Sequence, residues 1–343
     1  MMNTVINNFN ANEKIMRYLD KLDYFFNGHK TLIVTELDLT NRCNNKCPGC
    51  CGVNGNGAEL SRHQIDLIVS SLTDMGNKGV ILSGGGEPLI SPYFTYAVKE
   101  LRRNGMKLGL NSNGLALTRE LAELIADNCE YFRISLDAAS PELYQKTHGM
   151  PAAAFRKTVE NIKLFSQIKQ ERESPVSFGV GFLTSRDTAP EMEDFVALVK
   201  ENGADFAQFR PFTGDMYDIT EAYLKLKEKY EDSSFGVRAS MQKYAEMKHG
   251  GHRDYNRCRG MFFSTVVTAD AKVFACLHNR QRDDYYLGQI TGEVSLSDIF
   301  RSARMREVYE SIDCAQCPTM CRNDVFNRTL DTLSLDVIHS EFL

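Results

Sequence analysis

The sequence predicts an α/β protein: a parallel sheet with helices outside it, then a smaller C-terminal module made of a β-hairpin plus helices. Three observations lead there. Between residues 31 and 212, six strand-like runs alternate with helix-like runs, the order that sets parallel strands side by side through helical crossovers. From about residue 213 the pattern changes to a charged helical stretch followed by a hairpin. Nine of the ten cysteines fall into two groups, 43, 47, 50 and 51 early and 258, 276, 314, 317 and 321 late.

The elements follow in chain order. Ile15, Leu19, Leu22 and Phe26 stand at helical spacing and Gly28 stops the run, giving an N-terminal helix within residues 1–30. TLIVTELDL (31–39) reads as the first strand. Ser61 caps a helix to about Met75, and GVILS (79–83) is the second strand. Ser91-Pro92 opens a helix, KLGLN (107–111) is a strand, and Thr118 caps a helix to about Asn128. YFRISLD (131–137) is the fourth strand, with helices opened by Ser140-Pro141 and Pro151. VSFGVGFL (176–183), a helix from Pro190 to Asn202, and DFAQFRPF (205–212) complete six units. An open doubly wound sheet and a curled partial barrel both satisfy this pattern. Residues 31–215 form the core, 216–255 a helical linker, and 256–343 the C-terminal module, whose hairpin turns at Asp270-Ala271.

Composition narrows the function classes. The 343 residues carry a net charge of −5, which disfavours nucleic acid as a partner because phosphate binding needs a basic face. No apolar run approaches 20 residues, and the N-terminus lacks the pattern of a secretory signal. A cytoplasmic location is expected, where clustered cysteines point to metal rather than to disulfides. Cys129, alone between a helix and a strand, reads as a core cysteine.

CNNKCPGC places Cys43, Cys47 and Cys50 directly after the first strand. Thiolates this close converge on one centre. An iron–sulfur cubane takes four ligands, so three leave one iron open. Zinc with Cys51 as fourth ligand is the alternative, although adjacent side chains diverge in an extended loop. SGGGEP (83–88) follows the second strand, NSNG (111–114) the third, RISLDAA (133–139) spans the end of the fourth, and QFRPF (208–212) ends the sixth.

Together these motifs resemble those of the radical S-adenosylmethionine (SAM) superfamily. The resemblance runs along residues 32–212 and implies a partial (β/α)6 barrel. Its [4Fe–4S] cluster would sit on Cys43, Cys47 and Cys50. It also implies SAM contacts at Gly85, Gly86, Glu87 and Pro88, with the Glu87 carboxylate facing SAM's ammonium, and at Asn111, Asn113, Ser135 and Asp137. Arg210 is expected to pair with SAM's carboxylate or with substrate. One departure stands out: the family usually has an aromatic residue just before the third cysteine, near the adenine, and here it is Gly49.

The late group (Cys258, Cys276, Cys314, Cys317 and Cys321) and the text around it resemble the SPASM or shorter Twitch extension of such enzymes. Five cysteines suit one auxiliary [4Fe–4S] cluster on four of them, and the hairpin has Ala271 where that family often has glycine. A structural zinc site is the alternative. The resemblance implies reductive cleavage of SAM to a 5′-deoxyadenosyl radical, hydrogen abstraction from substrate, and an electron donor such as flavodoxin or ferredoxin. The substrate is expected to be a small metabolite (sugar, aminocyclitol or nucleotide-linked) or a ribosomal peptide. The 42 residues before Cys43 are few for a leader-binding domain. A metal-binding scaffold without SAM chemistry and an RNA-modifying enzyme are the competing readings.

Overall fold

The computed structural model describes residues 12–334 apart from 51, 53–55, 213–214, 216, 249–252 and 319–320. Its strands are β1 (Val34–Asp38), β2 (Gly79–Ser83), β3 (Lys107–Ser112), β4 (Cys129–Ser135), β5 (Ser177–Thr184), β6 (Phe206–Pro211), β7 (Gly236–Ala239), β8 (Ser264–Val267), β9 (Lys272–Phe274) and β10 (Tyr286–Gln289). Its helices are α1 (Leu19–Phe26), α2 (Arg62–Asp74), α3 (Phe94–Arg103), α4 (Arg119–Asn128), α5 (Pro141–His148), α6 (Ala152–Glu171), α7 (Met192–Glu201), α8 (Thr220–Tyr230), α9 (Met241–Lys248), α10 (Leu296–Arg301), α11 (Ala303–Ser311) and α12 (Asp324–Leu333). The expected caps are in place. Ser61 forms a capping box with Gln64, and Thr118 and Ser140 accept from the backbone N–H of Leu121 and Leu143.

All ten strands form one sheet in the order β10-β9-β8-β1-β2-β3-β4-β5-β6-β7. From β1 to β7 the order never reverses, and every neighbour is parallel. Right-handed crossovers that always step the same way put their helices on one face. A doubly wound sheet needs a reversal, so the curled partial barrel is the architecture present.

Strand alternation then sorts the side chains. Phe132, Phe178 and Phe182 face the helices and are fully buried. Phe132 meets Phe165 of α6 at 4.7 Å between ring centroids, and Phe182 meets Phe195 of α7 at 4.6 Å. The opposite face carries Glu36 and Asp38 of β1, Asn111 of β3, Tyr131, Arg133 and Ser135 of β4, and Gln208 and Arg210 of β6. Two aromatic rings plug this lumen at the N-terminal ends of the strands. Tyr131 lies where a Cβ on Gly109 would stand 2.1 Å from its ring, and Phe206 does the same at Gly179, at 2.2 Å. The Arg238 guanidinium covers Phe206, 3.9 Å from the ring centroid. Polar space therefore remains at the C-terminal ends.

Two expectations are corrected. The N-terminal helix breaks at Tyr18: residues Asn12–Arg17 are a 3-10 turn and only α1 is α-helical. The tighter turn shifts the phase, so Ile15 and Leu22 are buried while Leu19 and Phe26 are exposed. Phe25 packs instead, 5.0 Å from Phe263 of the C-terminal module. The 216–255 linker is not wholly helical, since it holds β7, which adds a seventh parallel strand beside β6. The C-terminal hairpin joins the same sheet. β8 pairs in parallel with β1, from Val34↔Ser264 to Leu37↔Val267, so the module continues the barrel wall. β10, which the sequence reading missed, extends it. At the hairpin turn Ala271 takes the left-handed conformation (φ 59°) where glycine costs less.

Candidate functional site

The loop after β1 leaves the sheet at a closed neck. Asn41 N–H donates to Ala58 O at 2.8 Å and Leu60 N–H to Leu39 O at 3.0 Å. Cys43, Cys47 and Cys50 hang from the loop beyond it. Two neighbours bracket the loop. On one side, Gly86 and Glu87 N–H groups donate to the carbonyls of Thr40 and Arg42, both at 2.9 Å. A Cβ on Gly86 would fall 1.9 Å from Arg42 O, so no larger residue fits that approach. On the other side, the end of α5 supports the loop, with Lys46 N–H donating to His148 O at 3.0 Å. The buried His148 ring puts Nδ1 3.2 Å from Cys47 Sγ and Nε2 2.8 Å from Leu136 O.

Glu87 joins the motifs. Only 3% exposed, its carboxylate accepts from Ser112 Oγ at 2.6 Å, Asn113 N at 2.7 Å and Leu89 N at 3.0 Å. Pro88 opens the short 3-10 turn that follows. Asn113 Nδ2 in turn donates to Asn44 Oδ1, inside the cysteine loop, at 2.7 Å. Backbone oxygens and the third cysteine surround Gly52. A Cβ on Gly52 would lie 2.7 Å from Gly85 O, 3.1 Å from Gly84 O and 3.2 Å from Cys50 Sγ, which leaves a small cradle open toward two carbonyls and a thiol. Asn41 Oδ1 is buried beside Gly85 without a hydrogen-bond partner.

The donor set suits an iron–sulfur cluster. Asn45 N–H donates to Cys43 Sγ at 3.4 Å and Gly52 N–H to Cys50 Sγ at 3.2 Å, contacts that favour thiolates. Burial, together with the neighbouring Cys50 and Cys43, pushes the Cys47 thiol up to about 12, and burial also raises Cys43. A positive iron centre offsets that cost of gathering three thiolates. Among the described residues, no three Cys, His, Asp or Glu side chains converge tightly enough to hold a single metal ion. Cys51 lies outside the described residues. Cys129 is buried at the start of β4, as its position between helix and strand suggested.

The remaining predicted residues line the mouth of the lumen. Asp137 adopts φ 52° just past β4, and its Oδ1 accepts from Leu183 N at 2.6 Å. Ser135 ends β4 on the inner face, and Asn111 Oδ1 is buried without a partner. Arg210, on the inner face of β6, has a buried Nε without an acceptor. Two residues on, Phe212 answers the Gly49 anomaly, since its ring occupies the space beside Gly49. Sequence reading passed over it because the ring comes from the end of β6 rather than from the cysteine loop.

The second cysteine group assembles around the hairpin and the start of α12. Asn327 Nδ2 donates to Cys258 Sγ at 3.6 Å, Asn279 Nδ2 to Cys276 Sγ at 3.8 Å, and Asn323 N to Cys321 Sγ at 3.4 Å. The Cys258 thiol is pushed up to about 11, by burial first and then by Cys276 and Cys317. Cys314 is buried, and Cys317 Sγ donates to Asp313 O at 3.8 Å. This thiol-rich pocket fits a second cluster on chemical grounds. Arg253, unremarked in the sequence, organises it. Its guanidinium donates to the carbonyls of Cys314 (3.0 Å), Cys317 (3.2 Å) and Pro318 (2.7 Å) and pairs with Asp324 at 2.7 Å.

The two halves are also tied by charge. Arg280 of the C-terminal module donates twice to Asp38 at 2.8 Å and to Glu36 at 2.5 Å, all buried, and Arg322 lies 3.4 Å from Glu36.

Comparison with known proteins agrees with this geometry. The sequence profile of the radical SAM superfamily matches residues 37–208, half of the chain, and that of the SPASM iron–sulfur cluster-binding domain matches residues 258–322. The chain belongs to the radical SAM superfamily and carries a C-terminal SPASM domain, and its cofactors are SAM and [4Fe–4S] clusters. Among curated relatives, dTDP-4-amino-4,6-dideoxy-D-glucose ammonia-lyase of Streptomyces venezuelae is 26% identical over 62% of this chain and 46% of its own length. The mycofactocin maturase MftC of Mycobacterium ulcerans is 28% identical over 53% of this chain and 48% of its own. The matched segment thus spans about half the length of these relatives. Among solved structures, Streptococcus suis SuiB bound to its precursor peptide SuiA has the same fold, with a TM-score of 0.65 at 13% identity, covering 91% of this chain and 74% of that one. Among the described residues no helix is long and apolar enough to cross a membrane.

Proposed function

We propose that this protein is a radical SAM enzyme acting on a small polar metabolite in the cytoplasm. When bound, the first cluster and SAM supply a reductive cleavage that yields methionine and a 5′-deoxyadenosyl radical able to take a hydrogen atom from the substrate. The protein's part is to hold and orient. Cys43, Cys47 and Cys50 ligate the cluster. The carbonyls of Gly84 and Gly85, beside Cys50, accept SAM's ammonium, while Glu87, one layer behind, locks Ser112 and Asn113 against the cysteine loop. Phe212 supplies the ring beside the adenine, and Ser135, Asp137, Asn111 and Asn113 border the methionine and ribose. Four of the five late cysteines hold the auxiliary cluster, and a flavodoxin or ferredoxin delivers the electron.

The observation that carries this reading is the hydrogen-bond chain Ser112/Asn113–Glu87 and Asn113–Asn44, which joins three separate sequence motifs into one unit beside the cysteines. A small substrate is favoured over a peptide because the lumen is plugged at one end by Tyr131 and Phe206 and lined with charge at the other. The relative named for a dTDP-sugar substrate points the same way.

The test is anaerobic reconstitution, iron and sulfide analysis, and a SAM-cleavage assay under a strong reductant. Iron–sulfur absorbance with methionine and 5′-deoxyadenosine as products is expected. Bound zinc without sulfide, or a reduced cluster that leaves SAM intact, overturns the proposal.

A further inference from the structure

Among the described residues, four guanidiniums meet the inner face of the barrel: Arg133 on β4, Arg210 on β6, and Arg280 and Arg322, which reach Glu36 and Asp38 from the module. The carboxylates of β1 do not suffice for them. Asp38 and Glu36 both bind Arg280, and Glu36 also takes Arg322. Asp137 is engaged with the Leu183 N–H and faces His148 at 3.6 Å. Arg133 and Arg210 are left without a carboxylate partner among the described residues.

The two arginines are neighbours in charge as well as in place. Arg133 leans across Gly181 of β5, where a Cβ would lie 3.5 Å from its Cδ, and its Nη1 donates to Gln208 Oε1 at 3.0 Å. Its Nε is buried and finds no acceptor, and neither does the Nε of Arg210. Burial first, and then the charge of Arg210, depress Arg133 to about 9 from the usual arginine range, against the weaker opposite pull of Tyr131, Asp137 and Glu36. Two like charges with unanswered N–H groups in a shielded space are costly unless an anion completes the site. A guanidinium presents its donors as a planar fork that matches an oxyanion.

We propose that Arg133 and Arg210 form an oxyanion subsite for the substrate, so that the metabolite carries a phosphate or a carboxylate that anchors it below the SAM site. This rests on the enzyme reading above and specifies its substrate class. Gly181 leaves the room for the group, and Gln208 orients Arg133.

The experiment is calorimetric titration of the anaerobically reconstituted, SAM-loaded protein with inorganic phosphate, pyrophosphate, acetate and succinate. Saturable binding of either anion class is expected, and the class that binds tells phosphate from carboxylate. Arg133→Gln should weaken that binding at least tenfold while SAM affinity holds. Arg133→Lys, which keeps the charge but loses the fork, should give an intermediate loss and carries the test if the glutamine variant fails to fold. No anion binding, binding unchanged in the Arg133 variants, or displacement of SAM by the anion overturns the subsite. Because binding is read without turnover, a protein that binds the anion but leaves SAM uncleaved refutes the enzyme reading and not this site.

Discussion

The ring of Phe212 lies against the backbone of Gly49, so close that a Cβ on Gly49 would stand 2.6 Å from Cε2. Residues more than 160 positions apart thereby share one space, and the missing side chain of one makes room for the ring of the other.

Adding volume at Gly49 should hurt through that contact. Gly49→Ala is expected to cost about 1–3 kcal/mol as an overpacked substitution. Phe212→Ala should leave the fold intact and raise the SAM dissociation constant roughly tenfold, in line with the worth of an aromatic contact. The pair Gly49→Phe with Phe212→Ala should recover affinity. Equal SAM affinity in all three variants, measured by equilibrium binding, would mean that the ring does not touch the cofactor.

Glu87 is expected to act through what it holds. Glu87→Ala strands Ser112 Oγ and the N–H groups of Asn113 and Leu89, and each buried donor left unsatisfied costs about 1–3 kcal/mol. SAM binding should weaken more than cluster content falls. Loss of the first cluster with normal SAM affinity in the remaining holoprotein contradicts this.

Cys43, Cys47 and Cys50 should each be needed for SAM cleavage, whereas Cys129→Ala, at a buried position on β4, should keep both clusters. About eight irons per chain are expected after reconstitution. In the Cys258→Ala and Cys276→Ala double variant about four should remain, with SAM still cleaved but no product formed. Normal product formation by that variant, folded and retaining its first cluster, makes the second site structural.

Arg253 should matter to the second site as much as a ligand does. Breaking its buried pair with Asp324 costs about 3–5 kcal/mol, and the loop of Cys314 and Cys317 loses its anchor. Arg253→Met should halve the iron content while the electron paramagnetic resonance signal of the SAM-bound cluster persists. Full iron content disproves the anchoring role.

Asp38 gives the stability a pH signature. Burial pushes its carboxyl up to about 7 against the pull of Arg280. Unfolded, it titrates near 4, so between about pH 4 and 7 the native state holds the extra proton and stability falls as pH rises. The slope contributed is at most about 1.4 kcal/mol per pH unit. Asp38→Asn should lose that slope in denaturant melts, whatever its absolute stability. An unchanged slope shows that Asp38 stays ionised throughout.

Periodicity and caps made the six strand–helix units legible, because each helix buries a stripe whose spacing shows in the chain. The cysteine spacings and the glycine-rich loop were legible because those residue types have few other uses together. What stayed hidden depends on long-range pairing. β7 and β10 are only four residues each, too short for alternation to stand out. The parallel pairing of β8 with β1 leaves no local mark. Phe212, Arg253 and Arg280 gain their roles from partners far along the chain, so nothing around them in sequence sets them apart. The role of Glu87 shows the same limit: its motif was plain, but not that Ser112, Asn113 and Leu89 already engage its carboxylate.

The seam between β1 and β8 sets a timetable for synthesis. β2 leaves the ribosome about 40 residues after β1, but β8 follows only about 225 residues after it. At 5–20 residues per second, one edge of the central strand stands open for roughly 11–45 s. That edge borders the strand from which the first cysteine loop hangs, so the nascent barrel carries an unpaired ladder beside free thiols until the C-terminal module closes it.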